Sequence, residues 1–540
     1  MGVVPVMLLC TIYLPGILST EDKGTVFLTA FPENVASYDP INHVHKLILT
    51  ALYEDTRVNV TVGSASKESL HMNAKQVESV YLDDSDELGR EVLSQKSVVI
   101  RASKDIVVLS VMSRGDRQQT VVVQPTKSLG TLYYTPDLSS YGSSGNGLGF
   151  QDFPGAKGKI VVINSDKANV VKVRSSGQTE TRELEPFQVF QMNSSDFQPV
   201  KIEAEERVAV LLSHPCAKTT NCTCEMMAIQ LRPANTWGKD FLLPYAENET
   251  VAVTSDKSFT VEAGSLTNTA STPSYSSSHH LIHDLKSQWA KSSKDSSLML
   301  LEPGKITQVI PKSHFAACLL TSNQASKALV IAPDSEKNNV RFWNVPLLAD
   351  WKQFNSSLNY SWAEIDLHVF ENYLIWHPSA KIMVYVKHGE KWRKAYTLST
   401  EPDPQGCLLE PHVYSVTDQS GTWAESIRHC QEEQQAELVS INTEDVHLTL
   451  SERLSNPAEA KDAWVGMRRR LVNGEWYWLN KQPVNASKWE QGEPGVSEEK
   501  FCVSTSLRGP HKNTWRSRSC CDNMRAVCYK TGVYLPLWPW

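Results

Sequence analysis

Side chains able to do chemistry fall in a few clusters along this 540-residue chain. His279-His-Leu-Ile-His283-Asp284 gathers three imidazoles and a carboxylate, donor types that suit zinc. The segment feeding into it, Ser265 to Ser278, is rich in Ser and Thr and reads as a mobile insertion. Binding there would have to offset ordering entropy, so no metal is expected. Asp83-Asp84 and Glu498-Glu499 place carboxylates side by side. Neighbours on an extended segment project to opposite faces, unlike a general acid and base. No Gly-x-Ser-x-Gly elbow, His-Glu-x-x-His helix or phosphate loop occurs. The close glycines between Ser139 and Gly149 lead into no helical pattern and read as a flexible loop. Arg468-Arg-Arg470 reads as a solvated basic turn. No catalytic residue and no cofactor are expected, and the chain is read as a non-enzyme.

The chain ends and the cysteines speak to compartment. Val3 to Leu18 is an apolar run followed by small Ser19 and Thr20 and acidic Glu21-Asp22, the pattern of a secretory signal over 1–20. No other segment has the roughly 18 apolar residues that a membrane span needs. A formal charge of −7 argues against a nucleic-acid partner. Sequons at Asn59, Asn193, Asn221, Asn248, Asn355, Asn359 and Asn485 suit a glycosylated surface. Losing Cys10 with the signal leaves an even number of cysteines, consistent with disulfides in an oxidising space. A secreted, extracellular protein is expected.

A segment recurs at regular intervals: Gly24-Thr-Val-Phe-Leu-Thr-Ala30, Gly130-Thr-Leu-Tyr-Tyr-Thr-Pro136, Gly238-Lys-Asp-Phe-Leu-Leu-Pro244, and more faintly Val340-Arg-Phe-Trp-Asn-Val-Pro346. A second landmark moves with it: Ile100 to Leu109, Ile202 to Leu211, and the weaker Phe315 to Leu320. Two landmarks moving together imply duplication. Within a unit the runs are short, β-branched and alternating, as in Val58-Asn-Val-Thr-Val62 and Val170-Val-Lys-Val173. Turn formers every eight to twelve residues favour antiparallel sandwiches over βαβ units. The expected organisation is three β repeats at 21–129, 130–237 and 238–346, then a partial β unit or linker at 347–405. The Cys216–Cys224 cluster, Gln230-Leu-Arg-Pro233, Trp237-Gly238 and Phe241 to Pro244 resemble the amino-terminal region of the IgG Fc-binding protein family. The likeness runs from about 24 to 350 and implies a mucosal or innate-immune setting. No residue is identified as carrying antibody binding.

The last quarter differs in kind. Trp423, Ile427 and Cys430 fall at i, i+4 and i+7, predicting a helix over Thr422 to Gln434, and a second helix is predicted from Asn442. Trp423-Ala424, Cys430, Ala436 to Ile441, Trp464-Val-Gly466, Trp476-Tyr-Trp478, Trp489 to Pro494, Cys502, Trp515, Cys520 and Cys528 together resemble a C-type lectin-like domain. That domain is placed at 406–532 with a tail at 533–540, which makes the chain mainly β with an α+β terminus. The resemblance implies the disulfides Cys430–Cys528 and Cys502–Cys520. Cys521 is then surplus, with Cys407 as its expected partner.

Calcium-dependent members of that family carry a Glu-Pro-Asn or Gln-Pro-Asp triplet, a later Glu, and a Trp-Asn-Asp triplet. Calcium wants six to eight oxygen ligands, and sugar hydroxyls complete the shell. Here Glu493-Pro494 survives, but Gly495 replaces the carboxamide, Lys500 takes about the place of the later Glu, and the triplet reads Trp515-Arg516-Ser517. Glu493 is thus the residual calcium candidate, Arg516 is a cation that could satisfy it, and Trp489, Glu493, Trp515 and Arg516 are the ligand-binding candidates. The expected function is recognition or adhesion, with a protein or glycoprotein ligand bound without calcium. The alternative is a divergent calcium-dependent lectin that binds carbohydrate.

Overall fold

The computed structural model describes residues 21–536 except 36–42, 115–116, 139–156, 195–197, 219–223, 244–248, 271–276, 355–357, 443–445, 447–449, 451–461, 485–487, 496–498, 508–511 and a few single positions. The expected signal, the glycine-rich loop at Ser139 to Gly149, and Asn221, Asn248, Asn355 and Asn485 therefore lie outside the described residues. The chain divides into one unit that runs to Cys407 and takes back Leu535, and a second spanning Leu408–Tyr534.

The first unit is built from antiparallel sheets in tandem. Each of the first three has one long central strand: Val98–Arg114, Val200–Lys218 and Trp289–Glu302. The first long strand serves two layers. Its start, Val98 to Ala102, pairs with Thr56–Val62, and its later part, Ile106 to Arg114, pairs with His43–Ala51. Alternation on Thr56–Val62 puts Val58, Val60 and Val62 inward, where they meet Leu47, Leu49, Ile100 and Val108. The β-branched runs form strands because both layers bury one face against this shared core.

The duplication is visible in the register. Gly24 faces Ile106 while Val26 faces Arg101. Gly130 faces Val208 while Leu132 faces Glu203, and Gly238 faces Ser296 while Asp240 faces Lys291. The same irregularity therefore occurs at equivalent positions three times. The glycine is required by what lies against it. A Cβ at Gly24, Gly130 or Gly238 would sit 2.4, 2.4 and 2.5 Å from the Cβ of Pro125, Pro233 and Pro311. Each proline precedes a 3₁₀ turn, at Thr126–Ser128, Ala234–Thr236 and Lys312–His314. The third turn leads into Ala316 rather than a glycine.

Two expected landmarks are corrected here. The third long strand is Trp289–Glu302, not Phe315 to Leu320, and Val340 to Pro346 opens no sheet. Arg341–Phe342 and Val345–Pro346 make a short hairpin inside a fourth module. That module has two five-stranded sheets drawn from Cys318 to Ser399, so its strands cross the expected boundary at 346, and 347–405 supplies six of its ten strands. Ser265 to Ser278, expected as a mobile insertion, contains the strand Leu266–Ala270. Cys407 is bonded to Cys318, closing 89 residues of the fourth module, and Cys521 is an exposed free thiol. The Cys407–Cys521 pairing is thereby overturned: the Cys407 Cα lies 5.5 Å from that of Cys318, inside bonding range. Cys216 is bonded to Cys224 across a hairpin, and both sulfurs sit in the core of the first sheet.

The second unit has one seven-stranded sheet and the helix Trp423–Gln434. Thr422 caps the helix: its Oγ1 accepts from the Glu425 N–H at 3.3 Å, while the Thr422 N–H donates to Glu425 Oε2 at 2.8 Å. Trp423 and Cys430 are buried, with Ile427 packed beside them. Of the second helix only Val446 and Leu450 are described, both helical. Leu408–Glu410 pairs with Val533–Tyr534, so the expected tail begins as a strand that closes the unit. Cys430 is bonded to Cys528 and Cys502 to Cys520.

Candidate recognition site of the carboxy-terminal unit

A tryptophan ladder underlies the candidate site. Trp464, Trp478 and Trp515 are fully buried. Trp478 meets Trp515 edge-on at 5.3 Å between centroids, Trp489 meets Trp515 edge-on at 5.9 Å, and Trp476 meets Trp489 at 5.0 Å. Gly466 lets the sheet close on the loop after the helix, since a Cβ there would lie 2.7 Å from the Leu438 carbonyl oxygen. Trp515, expected as a ligand-binding candidate, has no exposed surface and belongs to the core, while Trp489 is half-buried and continues the ladder toward the surface.

A bridge between Trp489 and Trp515 brings the loop of Glu490 to Gly495 beside the strand Trp515–Arg518. The peptide between Glu493 and Pro494 is cis. Glu493 Oε2 accepts from the Gly495 N–H at 2.8 Å, from the Ser517 N–H at 3.1 Å, and from the Ser517 hydroxyl. The ammonium of Lys500 and the Ser517 hydroxyl each lie 3.5 Å from where a Cβ on Gly495 would stand. Burial raises the Glu493 carboxyl pKa, but Ser517, Gly495 and Lys500 outweigh it and hold the group below its usual range.

Arg516, a cation that could have satisfied Glu493, pairs with Glu490 instead. Its Nε and Nη2 grip both oxygens of Glu490, with Nη2 2.9 Å from Oε1, and its Nη1 lies 3.6 Å from Asp462. The hydrogen bonds to Glu490 raise its pKa further. Arg518 shares Asp462 at 3.1 Å. Glu490 and Asp462 were missed in the sequence. The acidic Glu490 sits one residue after Trp489, as Arg516 sits after Trp515, but only the bridge between those tryptophans shows that the pair meets.

The site thus sets the carboxylates of Asp462, Glu490 and Glu493 among Arg516, Arg518 and Lys500. Calcium's fit fails on the donor set. Glu493 Oε2 already accepts from three hydrogen-bond donors, and the ammonium of Lys500 stands nearby. Among the described residues no group of three His, Cys, Asp or Glu side chains is placed to hold a metal ion. Glu498 lies outside the described residues. The basic run is not a free patch: Arg468 lies over Trp423, Arg470 lies over Tyr477, and Arg469 donates to the Gly474 carbonyl at 3.0 Å.

The histidine cluster of the first unit does not converge either. His279 and His280 are consecutive on the strand Ser278–Leu285, so they project to opposite faces. His279 bonds Ser277 at 2.7 Å and Thr254 at 3.2 Å, while His283 bonds Thr250 at 3.3 Å. Burial pushes His279 down to about 4. Of the sequons described, Asn59, Asn193 and Asn359 are exposed.

The description of a C-type lectin domain matches residues 419–530, and that of an IgGFc binding protein domain matches 119–387. The C-type lectin lectoxin-Phi1 of Philodryas olfersii is 30% identical over 117 residues, 21% of this chain and 74% of that protein. The chain belongs to the C-type lectin family. Human IgGFc-binding protein is 29% identical over 227 residues, 40% of this chain but only 4% of that protein's length. Among solved structures, human lithostathine is similar at 22% identity with a TM-score of 0.21, over 22% of this chain and 90% of its own. The C-type lectin match ends within the last sheet strand, Arg525–Lys530, and the IgGFc-binding match spans the second, third and fourth β modules. Both families are binding domains, so this is a recognition protein. No described helix is long and apolar enough to cross a membrane.

Proposed function

We propose that this chain is a secreted, glycosylated adhesion protein whose lectin-like domain takes a protein or glycoprotein ligand without calcium. The observation that carries this is the engagement of Glu493 Oε2 by Ser517 and Gly495, with Lys500 beside it. These donors compete with a divalent ion for Glu493, because coordination through Oε2 would cost their hydrogen bonds. The ion pair of Arg516 with Glu490 supports the same reading, because freeing Glu490 would leave a guanidinium without its partner. The exposed sequons at Asn59, Asn193 and Asn359 and the four disulfides suit an oxidising extracellular space. Purified full-length protein assayed on a glycan array and in an antibody-Fc pull-down, each with calcium and with EDTA, tests the proposal. Ligand retention that is unchanged by EDTA is the expected result. Sugar retention abolished by EDTA would support the divergent calcium-dependent lectin instead.

A further inference from the structure

Four edge strands of the first unit, one from each module, close on one another. Arg117–Val123 packs on Cys224–Gln230, which packs on Lys305–Val309, which packs on Lys391–Lys394. The last returns to the first: Lys391 Nζ donates to Gln119 Oε1 at 3.0 Å and Arg393 Nε donates to the Thr120 carbonyl at 3.0 Å. Asp22 seals the junction from the chain start, accepting from the Thr397 N–H at 2.7 Å and pairing with Lys394 at 2.5 Å. At the centre is a cavity of about 80 Å³ lined by all four modules. A single water occupies roughly 10–15 Å³ on this measure, so the cavity has room for several heavy atoms.

The lining carries more positive charge than its acids absorb. Asp22 is engaged by Lys394, and Glu21 lies 3.6 Å from Lys23 and 3.5 Å from Lys127. Two guanidiniums remain, Arg232 and Arg393. Arg232 senses the Asp22 charge but makes no hydrogen bond or ion pair among the described residues. Arg393, 8% exposed, spends Nε and Nη1 on carbonyls, and its Nη2 is buried with no partner. Nearby Glu302 is itself paired with Lys305 at 2.9 Å. Gln230, 4% exposed, uses Oε1 to accept from the Gln124 N–H at 3.0 Å, which leaves Nε2 buried and unmatched. The two unmatched atoms are both donors on side chains that line one cavity, and buried donors are costly to leave unmade.

We propose that this cavity binds the oxyanion group of a small acid, a carboxylate or a sulfate or phosphate group, held by Arg232, Arg393 and Gln230. Guanidinium forks match such oxygens in planar geometry, and the amide of Gln230 supplies a neutral donor beside them. The site is remote in sequence from the lectin-like domain and does not depend on how that domain reads its ligand.

The test uses the full chain and calorimetric titration with sodium sulfate, inorganic phosphate and sodium acetate at ionic strength held constant with chloride. One saturable site for at least one of the three is expected. Acetate binding alone points to a carboxylate ligand, and sulfate or phosphate binding points to an ester. Because Arg393 also holds the strand ring together, its variants could unfold, and Arg232→Gln and Gln230→Leu are the informative ones. Arg232→Gln should keep the far-ultraviolet spectrum and weaken binding about tenfold or more, while exposed Lys172→Gln should bind as wild type. Absence of saturable binding by all three anions at roughly 10 mM, an affinity near −2.7 kcal/mol, overturns the proposal. So does undiminished binding by a folded Arg232→Gln.

Discussion

At the residue scale the decisive feature is a substitution of donors for acceptors. Lys500, Arg516 and Ser517 bring ammonium, guanidinium and hydroxyl hydrogens to a site whose acids include Glu490 and Glu493 on the loop and Asp462 on a neighbouring strand. Reversing it should restore a metal site. The quadruple variant Gly495→Asn, Lys500→Glu, Arg516→Asn, Ser517→Asp is expected to gain calcium affinity in the millimolar range or tighter, the span of extracellular calcium modules at about 10⁻⁴–10⁻³ M. Calorimetry checks it, and no heat from the variant would mean that more than these four positions closed the site. The tryptophans separate by burial. Trp515→Ala removes a fully buried ring and should cost about 3–5 kcal/mol in denaturant unfolding, whereas half-buried Trp489→Ala should cost clearly less. Equal losses would contradict the ladder. The altered positions were legible in the sequence, because they stand at fixed offsets from tryptophans and cysteines. The partner of Arg516 was not, since Glu490 lies 26 residues away and the pairing needs the folded loop.

At the scale of elements, the repeats rest on long strands and on a glycine pressed against a proline. Legibility here followed hydrophobic contrast. Ile106-Val-Val-Leu109 and Val208-Ala-Val-Leu211 advertise their strands, but the third copy reads Ser296-Ser-Leu-Met299. Ser292 and Ser296 satisfy each other at 2.8 Å inside the third module, so polar residues serve where apolar ones did before. The shared Ser-Lys-Asp at 103–105 and 293–295 was the signal available. Titrating groups within these elements give pH effects of opposite sign. Burial pushes His388 down to about 3, where it bonds Thr120 at 2.8 Å and Ser322 at 2.6 Å. Below an ordinary histidine pKa the unfolded chain takes a proton that the fold refuses, so stability falls as pH drops from about 6.5 toward 3. His388→Gln should therefore lose less melting temperature than wild type between pH 7 and pH 5. Burial, then the charge of Glu302, pushes Glu249 up to about 8. The fold there binds a proton that the unfolded chain has released, so stability falls as pH rises from about 4.5 to 8. Glu249→Gln should match wild type near pH 4.5 and exceed it in melting temperature at pH 8.5. A difference that does not change with pH would contradict this assignment.

At the scale of the whole molecule, the two units carry separate staples. The tandem modules line a half-open cavity beside a ring of edge strands, and the lectin-like unit presents a loop over a tryptophan core. Cys318–Cys407 closes 89 residues in the first unit and Cys430–Cys528 closes 98 in the second. In the chain-entropy view each loop of this size is worth about 4–5 kcal/mol. Replacing both cysteines of one pair by alanine should lower one calorimetric transition and leave the other in place. Merging of the two transitions would contradict the division at Cys407. The lectin-like family was visible in the sequence because its cysteines and tryptophans stand at the family's spacing. The closed ring was not, because it depends on contacts such as Lys391 with Gln119 between modules far apart along the chain. The central claim is that the loop around Glu493 has exchanged a metal for its own hydrogen bonds. Titrating calcium into the metal-stripped full-length chain by calorimetry tests it most directly. The account predicts no saturable heat up to about 1 mM calcium, the weak end of extracellular calcium modules. A site tighter than that, lost in Glu493→Gln, would contradict it.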